Sequence, residues 1–277
     1  MESLANLRGG FCKESQLRIK TVDLYLVIGL ILSAAIGLSL GLTGGGGSII
    51  TVPVLVYVLG VPAHEAVGMS LAVVGATSLV GAFLHYRRGN LRLRTGMTFG
   101  AAGVVGAFLG TPLTHLFSPP ALLLTFAALM FVIAVLMLRR ESNTKAESES
   151  TEQSASVWKA LLAGFGVGVL TGFLGVGGGF LIVPALVMFG GLAIKDAIGT
   201  SLLVIFLNCV AGLLGHLSYG GFDFGLTALV TILAVGGTIL GTALSHRLAA
   251  QKLQKSFAFF VLAVAIFLFV KNYAVLF

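Results

Sequence analysis

The sequence predicts an all-α polytopic membrane protein made of two homologous repeats, with glycine-broken helices and eight to ten crossings of the bilayer. Its composition, an internal repeat and two glycine runs predict this fold. Of the 277 residues, 57% are apolar and 10% are charged, and the mean hydropathy is +1.04. A soluble domain needs about 25% charged residues to cover its surface. The composition therefore excludes a water-soluble protein.

The few charges fall between long apolar stretches. Asp, Glu, Lys and Arg are all absent from residues 24–64, 66–86, 95–138, 160–194, 197–222, 224–246 and 256–270. A helical crossing takes about 20 residues, so these stretches leave room for about ten crossings. The net charge of +7 comes from short basic runs, which are typical of cytoplasmic loops and not of a nucleic-acid surface. We expect a multi-pass protein of the cytoplasmic membrane, in contact with the lipid bilayer and with no nucleic-acid partner.

The chain resembles itself at a fixed offset. Shifting residues 37–115 by 131 positions onto 168–246 needs no gap and gives 25 identities in 79 positions. The identities include Gly44 with Gly175, Pro53 with Pro184, Ser70 with Ser201, His85 with His216, and His115 with His246. The sequence thus divides into a polar N-terminal tail (1–21), a first transmembrane repeat (22–138), a polar linker (139–157) and a second transmembrane repeat (158–277).

Each copy contains five apolar segments, of which the second is short. The segments are 24–43, 48–60, 66–86, 95–116 and 120–138 in the first copy, and 158–174, 179–192, 197–217, 224–245 and 256–270 in the second. If all five cross, the copies point in opposite directions; if the short segment is re-entrant, each copy crosses four times and the copies are parallel. An arginine loop of Arg87, Arg88, Arg92 and Arg94 has no basic counterpart at 218–224. This charge pattern favours inverted repeats, with the arginine loop and the linker in the cytoplasm.

A glycine run followed by proline opens the second segment of each copy. Residues 44–47 are four glycines and lead into Pro53, and the run from Gly175 to Gly179 leads into Pro184. Each glycine costs a helix about 1 kcal/mol relative to alanine, so the helix should break there. We expect a short helix to follow, with the proline in its first turn. The bare amides and the helix N-terminus would then form an anion-binding nest.

Glycines can also serve close helix packing, and we assign that role to the spaced pairs at 37 and 41, 106 and 110, 168 and 172, and 237 and 241. For the contiguous runs we favour a transport site, because paired broken helices in two repeats typically mark one. With no Lys or Arg inside the segments, an anion must be held by amides and hydroxyls. The candidate substrate-binding residues are Gly44, Gly45, Gly46, Gly47, Ser48, Ser70, Gly175, Gly177, Gly178, Gly179, Thr200 and Ser201. Each hydroxyl taken alone also fits a bond to its own helix.

Four further residues are candidates for proton coupling: His85, His216, Glu65 and Asp196. The plainer interpretations are an interface histidine bonded to a carbonyl, and first-turn acids that complement a helix dipole. No Ser/His/Asp arrangement and no metal-ligand spacing occurs in the sequence. We therefore expect no enzyme, no catalytic residues, no metal and no cofactor.

The duplicated glycine run with its proline, and the duplicated Gly-x-Ser-Leu at 68–71 and 199–202, resemble the sulfite exporter TauE/SafE family of membrane transporters. The resemblance covers roughly residues 24–270. It implies movement of small sulfur-containing anions, such as sulfite or organosulfonates, coupled to an ion gradient. The two runs differ, since Gly45 and Ser48 stand where the second copy has Val176 and Gly179.

The leading hypothesis is a secondary transporter that exports such an anion by alternating access between the two repeats. The first alternative is a passive anion channel of the same architecture. The second is a non-transporting membrane scaffold that presents the arginine loop to a partner protein. Broken helices are not needed by a scaffold, so we rank it last.

Overall fold

The computed structural model describes residues 27–110, 127–128, 130–132, 134–136, 138, 157–174, 179–216 and 223–273, and all regular structure in these ranges is helical. The predicted N-terminal tail and almost all of the predicted linker lie outside them. The described helices are α1 (Val27–Thr43), α2 (Gly47–Tyr57), α3 (Ala63–Arg87), α4 (Leu93–Gly110), α5 (within 127–138), α6 (Val157–Leu174), α7 (Gly179–Met188), α8 (Ile194–His216), α9 (Phe224–Arg247) and α10 (Ala250–Tyr273).

Three of the described helices are long and apolar enough to cross a membrane by length and composition. They are Glu65–Arg87 in α3, Ile194–Leu214 in α8 and the whole of α9. Large apolar side chains such as Phe108, Ile232 and Phe259 point away from the protein, each more than half exposed. An outward-facing apolar surface is what a lipid environment requires. The prediction of a helical membrane protein is confirmed at this level.

Glycine contacts bring two pairs of parallel helices into backbone contact. Gly37 of α1 lies against Ala234 of α9, and Gly168 of α6 lies against Gly103 of α4. Gly41, Gly106, Gly237 and Gly241 make equally close approaches in the same two pairs. Any Cβ at these positions would overlap a neighbouring backbone. The predicted packing role is confirmed for these six glycines, and it joins the first half of the described chain (27–138) to the second (157–273).

Helices α3 and α8 run antiparallel through the centre. Leu71 of α3 lies against Gly212 of α8, and ten residues later Gly81 lies against Leu202. Helix α8 is largely enclosed over its first half, where Ile198, Leu202 and Ile205 are almost fully buried. The main apolar core is built around it, with contributions from α7 and α10.

Helix α2 returns alongside α1 as a hairpin. Gly47 at the start of α2 packs against Ile36 and Leu40, whereas Leu59 just beyond its end packs against Gly29 near the start of α1. The glycine run at 44–47 is the turn of this hairpin. The predicted sequence of helix, opened glycine turn and short helix is therefore correct for the first half.

The prediction that Pro53 and Pro184 lie in the first turn of their helices is wrong. They are the seventh residue of α2 and the sixth of α7, because both helices begin inside the glycine run and not after it. Proline cannot donate to the carbonyl four residues earlier, which leaves the carbonyls of Ile49 and Phe180 without that helical partner. Neighbouring helices make such an interruption tolerable inside a membrane protein.

Candidate functional site

The first glycine run forms a buried turn held by backbone and hydroxyl contacts. Gly44 has a φ of +74°, which favours glycine, and its amide donates to the Leu40 carbonyl over 2.8 Å. The amide of Gly46 donates to Thr43 Oγ1 over 3.1 Å, and this hydroxyl in turn donates to the Ser39 carbonyl. The Thr43 hydroxyl therefore stabilises the point at which α1 ends and the glycine turn begins.

A serine from the second half of the chain contacts this turn directly. Ser201 Oγ lies 2.7 Å from the Gly44 carbonyl and 2.8 Å from the carbonyl of Ile198 in its own helix, and it can donate to either. Ser201 is completely buried, and a Cβ on Gly44 would lie 2.6 Å from its Oγ. The structure thus joins two of the predicted site residues that are 157 positions apart, and the bond to Gly44 is more than the local back-bond that the sequence also allowed.

The first residues of α2 and α7 meet. Ser48 Oγ donates to the Gly45 carbonyl over 2.8 Å, and Gly179 lies directly beside both groups. A Cβ on Gly179 would be 2.7 Å from Ser48 Oγ and 3.0 Å from Ile205, which is the middle residue of α8. Ser48 and Gly179 are also 131 positions apart, which is the offset of the sequence repeat. The two short helices consequently begin at the same place, halfway along a candidate membrane span.

Helix beginnings carry amides without a helical partner. The N–H groups of Gly47, Ser48 and Ile49 precede the first hydrogen bonds of α2, and the same holds for the first residues of α7. Each helix N-terminus carries about half a positive elementary charge. Gly44 to Gly47 and Gly179 are all buried, so this charge lies away from water. Two such ends beside hydroxyl groups can bind a small anion without any lysine or arginine.

Other predicted substrate-binding residues lie elsewhere or cannot be placed. Thr200 is fully buried, but its Oγ1 accepts from the Arg92 amide over 3.0 Å and thus contacts the arginine loop. Ser70 is buried in α3. Gly175, Gly177 and Gly178 lie outside the described residues.

The four proton-coupling candidates have different surroundings. His85 is buried at the end of α3 with its ring 5.0 Å from that of His246 in α9. Asp196 forms an ion pair with Arg92, with 2.9 Å between Oδ2 and Nε. Glu65 lies in the first turn of α3, where no described cation pairs with it. His216 ends α8, but the placement of its side chain is not described.

Sequence reasoning missed Thr43 and Asn90. Asn90 follows α3 in a tight turn in which its amide donates to the His85 carbonyl and Gly89 takes a φ of +75°. Its side-chain nitrogen lies 3.2 Å from His246 Nδ1. Neither residue is repeated in the second copy, which has Leu174 and Gly221 at those positions, so the repeat contained no signal for them.

Comparisons with known proteins point to membrane transporters. The model of the sulfite exporter TauE/SafE family matches residues 29–268. A "Probable membrane transporter protein" of Xylella fastidiosa (strain 9a5c) is 37% identical over 86% of this chain and 93% of its own length. The "Probable membrane transporter protein YdhB" of Bacillus subtilis is 32% identical over 83% of this chain and 94% of its own. No solved structure matches the chain.

Proposed function

This chain belongs to the sulfite exporter TauE/SafE family of membrane transporters, and we propose that it exports a small sulfur-containing anion, such as sulfite or an organosulfonate, across the cytoplasmic membrane. The single observation that carries the proposal is the meeting of α2 and α7 at Ser48 and Gly179, beside the midpoint of α8. A binding site halfway through the membrane is what alternating access needs.

The charge of the site favours a singly charged anion. Two helix N-termini at about half an elementary charge each amount to about one positive charge. The described parts of α1, α2, α7 and α8 around the turn hold no lysine or arginine, apart from Lys195, the second residue of α8. Amides and the hydroxyls of Ser48 and Ser201 would bind the oxygen atoms of such an anion.

We further propose that the two halves are inverted repeats. Helices α3 and α8 occupy matching positions in the sequence repeat, and their antiparallel contact supports opposite orientations. Contacts also recur after the offset of 131: Gly37 on Ala234 becomes Gly168 on Gly103, and Gly81 on Leu202 becomes Gly212 on Leu71. Access would alternate as the two halves move relative to each other around the meeting point.

A strain-matched pair of glycine variants tests the site. Gly44 and Gly60 both have positive φ, so alanine costs backbone strain at either position. Only Gly44→Ala would also place a Cβ against Ser201, since nothing lies within 4 Å of a Cβ at Gly60. In proteoliposomes we expect uptake of radiolabelled sulfite to fall at least about tenfold for Gly44→Ala and to stay near wild type for Gly60→Ala. Equal uptake by the two variants would remove the glycine turn from the transport site.

The substrate class needs a panel of anions. Uptake of radiolabelled sulfite should saturate with concentration. Unlabelled sulfite and a singly charged sulfonate should inhibit it more strongly than thiosulfate, which carries two charges, and acetate should not inhibit it. Cells that lack the protein should be more sensitive to sulfite if export is its direction. Flux that does not saturate with concentration would instead support the passive channel.

A further inference from the structure

Two histidines from different halves of the chain form a close pair near the glycine turn, one of them buried and the other partly exposed. His85 of α3 is 1% exposed, and its ring centroid lies 5.0 Å from that of His246 in α9, with 38° between the ring planes. Neither nitrogen of His85 nor Nε2 of His246 makes a hydrogen bond of good geometry with a described residue, although the backbone of Gly41 lies close to the His85 ring. Thr242 Oγ1, one helical turn before His246, is also buried and unpartnered.

An unpartnered buried polar group is costly, and here several face one small region. Gly41 of α1 lies next to Thr242 Oγ1, and its backbone also faces the His85 ring. The arrangement therefore leaves donors and acceptors free at one point between α1, α3 and α9. Two imidazoles alone make a poor metal site, since no third His, Cys, Asp or Glu of the described chain joins them.

We propose that the His85–His246 pair binds and releases a proton that crosses the membrane together with the anion, so that export follows the outward gradient of the anion, and this inference rests on the transport function proposed above. Imidazole is the side chain whose charge changes near neutral pH. A proton held on either ring would place a positive charge close to a site that has no cationic side chain of its own.

Asn90 suits a histidine that changes its protonation state. Its side-chain amide lies 3.2 Å from His246 Nδ1. The NH₂ group can donate to the bare nitrogen of a neutral ring, and after rotation of the amide by 180° the oxygen can accept from a protonated one. One side chain thus serves both states without a change in backbone position.

His85 contacts both helices that form the Gly44–Ser201 contact, at Gly41 of α1 and at Gly199 of α8. A Cβ on Gly199 would lie 2.8 Å from His85 Cβ, and Ser201 follows two residues later in α8. Gly41 precedes Gly44 by three residues in α1. Motion of His85 on gaining or losing a proton is therefore transmitted to α1 and to α8, which between them position the turn.

The charged groups around the pair make its proton binding depend on whether an anion occupies the glycine turn. Arg88 faces both histidines, Lys195 of α8 faces His246, and Arg247 follows His246 in α9. Asp196 is engaged by Arg92 and so is held in an ion pair. These cations oppose a proton on the pair until an anion arrives at the turn, which links binding of the two.

The test separates coupling from transport itself. Proteoliposomes are loaded with sulfite, and the exchange of radiolabelled sulfite without a pH gradient is compared with its accumulation under a gradient. For one proton per anion, wild type should reach about a tenfold concentration ratio per pH unit. His85→Gln and His246→Gln should lose accumulation and keep exchange within about threefold. Ser78→Ala removes another buried, unpartnered group of α3 and should leave both readouts unchanged.

A second measurement does not depend on reconstitution. In weakly buffered detergent solution, sulfite binding should change proton binding by about one per wild-type protein and not at all in His85→Gln. Accumulation by both glutamine variants at wild-type level would overturn the proposal, and so would loss of exchange together with accumulation in both, which would make the pair structural. If wild type exchanges sulfite but ignores the pH gradient, the histidine proposal alone fails. If wild type exchanges none of the sulfur anions, the proposed function fails first.

Discussion

Replacing Gly179 with serine tests whether the meeting point of α2 and α7 has room for only one side chain. A Cβ on Gly179 would lie 2.7 Å from Ser48 Oγ, 3.0 Å from Ile205 and 3.2 Å from the Gly45 carbonyl. Ser48 could rotate away only by giving up its 2.8 Å bond to Gly45, which costs about 1 kcal/mol. Overpacking a closed site typically costs about 1–3 kcal/mol in total.

The informative variant is the exchange of the two residues. Ser48→Gly removes a single hydroxyl and should cost about 1 kcal/mol or less. The double variant, Ser48→Gly with Gly179→Ser, places one side chain at the same point from the other helix. We expect it to recover most of the stability and sulfite uptake that Gly179→Ser alone loses. Residues in contact couple by about 0.5–3 kcal/mol, so the interaction is large enough to measure.

Two assays measure the coupling between the substitutions at positions 48 and 179. In thermal unfolding in detergent, the unfolding temperature of Gly179→Ser should fall by roughly 2–4 °C for each kcal/mol of stability that it loses. The unfolding temperature of the double variant should be close to that of wild type. Sulfite uptake in proteoliposomes should follow the same order. Effects that simply add, with the double variant no better than Gly179→Ser, would show that the two positions do not share one space and would refute the reasoning.

Three further predictions follow from neighbouring contacts. Gly237→Ala should disrupt the contact of α9 with Ala34 and lower the unfolding temperature, whereas Gly236→Ala, with nothing within 4 Å, should not; equal unfolding temperatures would argue against the α1–α9 packing. Asp196→Asn should cost at most about 1 kcal/mol, because the Arg92 side chain is 60% exposed, and should leave pH-driven accumulation intact; its loss would point to Asp196 instead of His85 as the coupling residue. Single cysteines replacing the exposed Arg94 and Asp223, in a background without the native cysteines, should react with an impermeant thiol reagent from opposite sides of the membrane; labelling from one side would exclude inverted repeats.

The predicted helices and the described ones agree most closely where a glycine or a charge ends an apolar stretch. The sequence pattern placed a helix at 66–86, and α3 is Ala63–Arg87; it placed another at 224–245, and α9 is Phe224–Arg247. Helix α10 begins six residues before the predicted 256, because a helix can extend through Lys252 and Lys255 beyond the apolar layer. Hydropathy locates the part of a helix that needs lipid and does not locate its end.

The sequence predicted what type of site the protein has, but only some of the residues that form it. A run of glycines must open a helix wherever it occurs, so the broken helix at 44–47 needed no tertiary information. Asn90 was not predicted because its role depends on the ring of His246, which is 156 positions away in sequence. Thr43 bonds only to residues near it in the chain, but it has no counterpart in the second copy that would have marked it. Thr200 is the opposite case. It lies in the Gly-x-Ser-Leu motif and was predicted to bind substrate, but its hydroxyl contacts the arginine loop.

The sequence by itself determined the membrane class, the glycine-broken helix and the duplicated motifs, because these follow from transfer free energy, backbone entropy and identity at a fixed offset. Only the tertiary structure decided which residues meet. Ser48 lies beside Gly179, Ser201 on Gly44 and His85 against His246, and each contact joins residues more than 130 positions apart. Local pattern contains no information on such contacts, since they depend on the direction in which one half of the chain packs against the other.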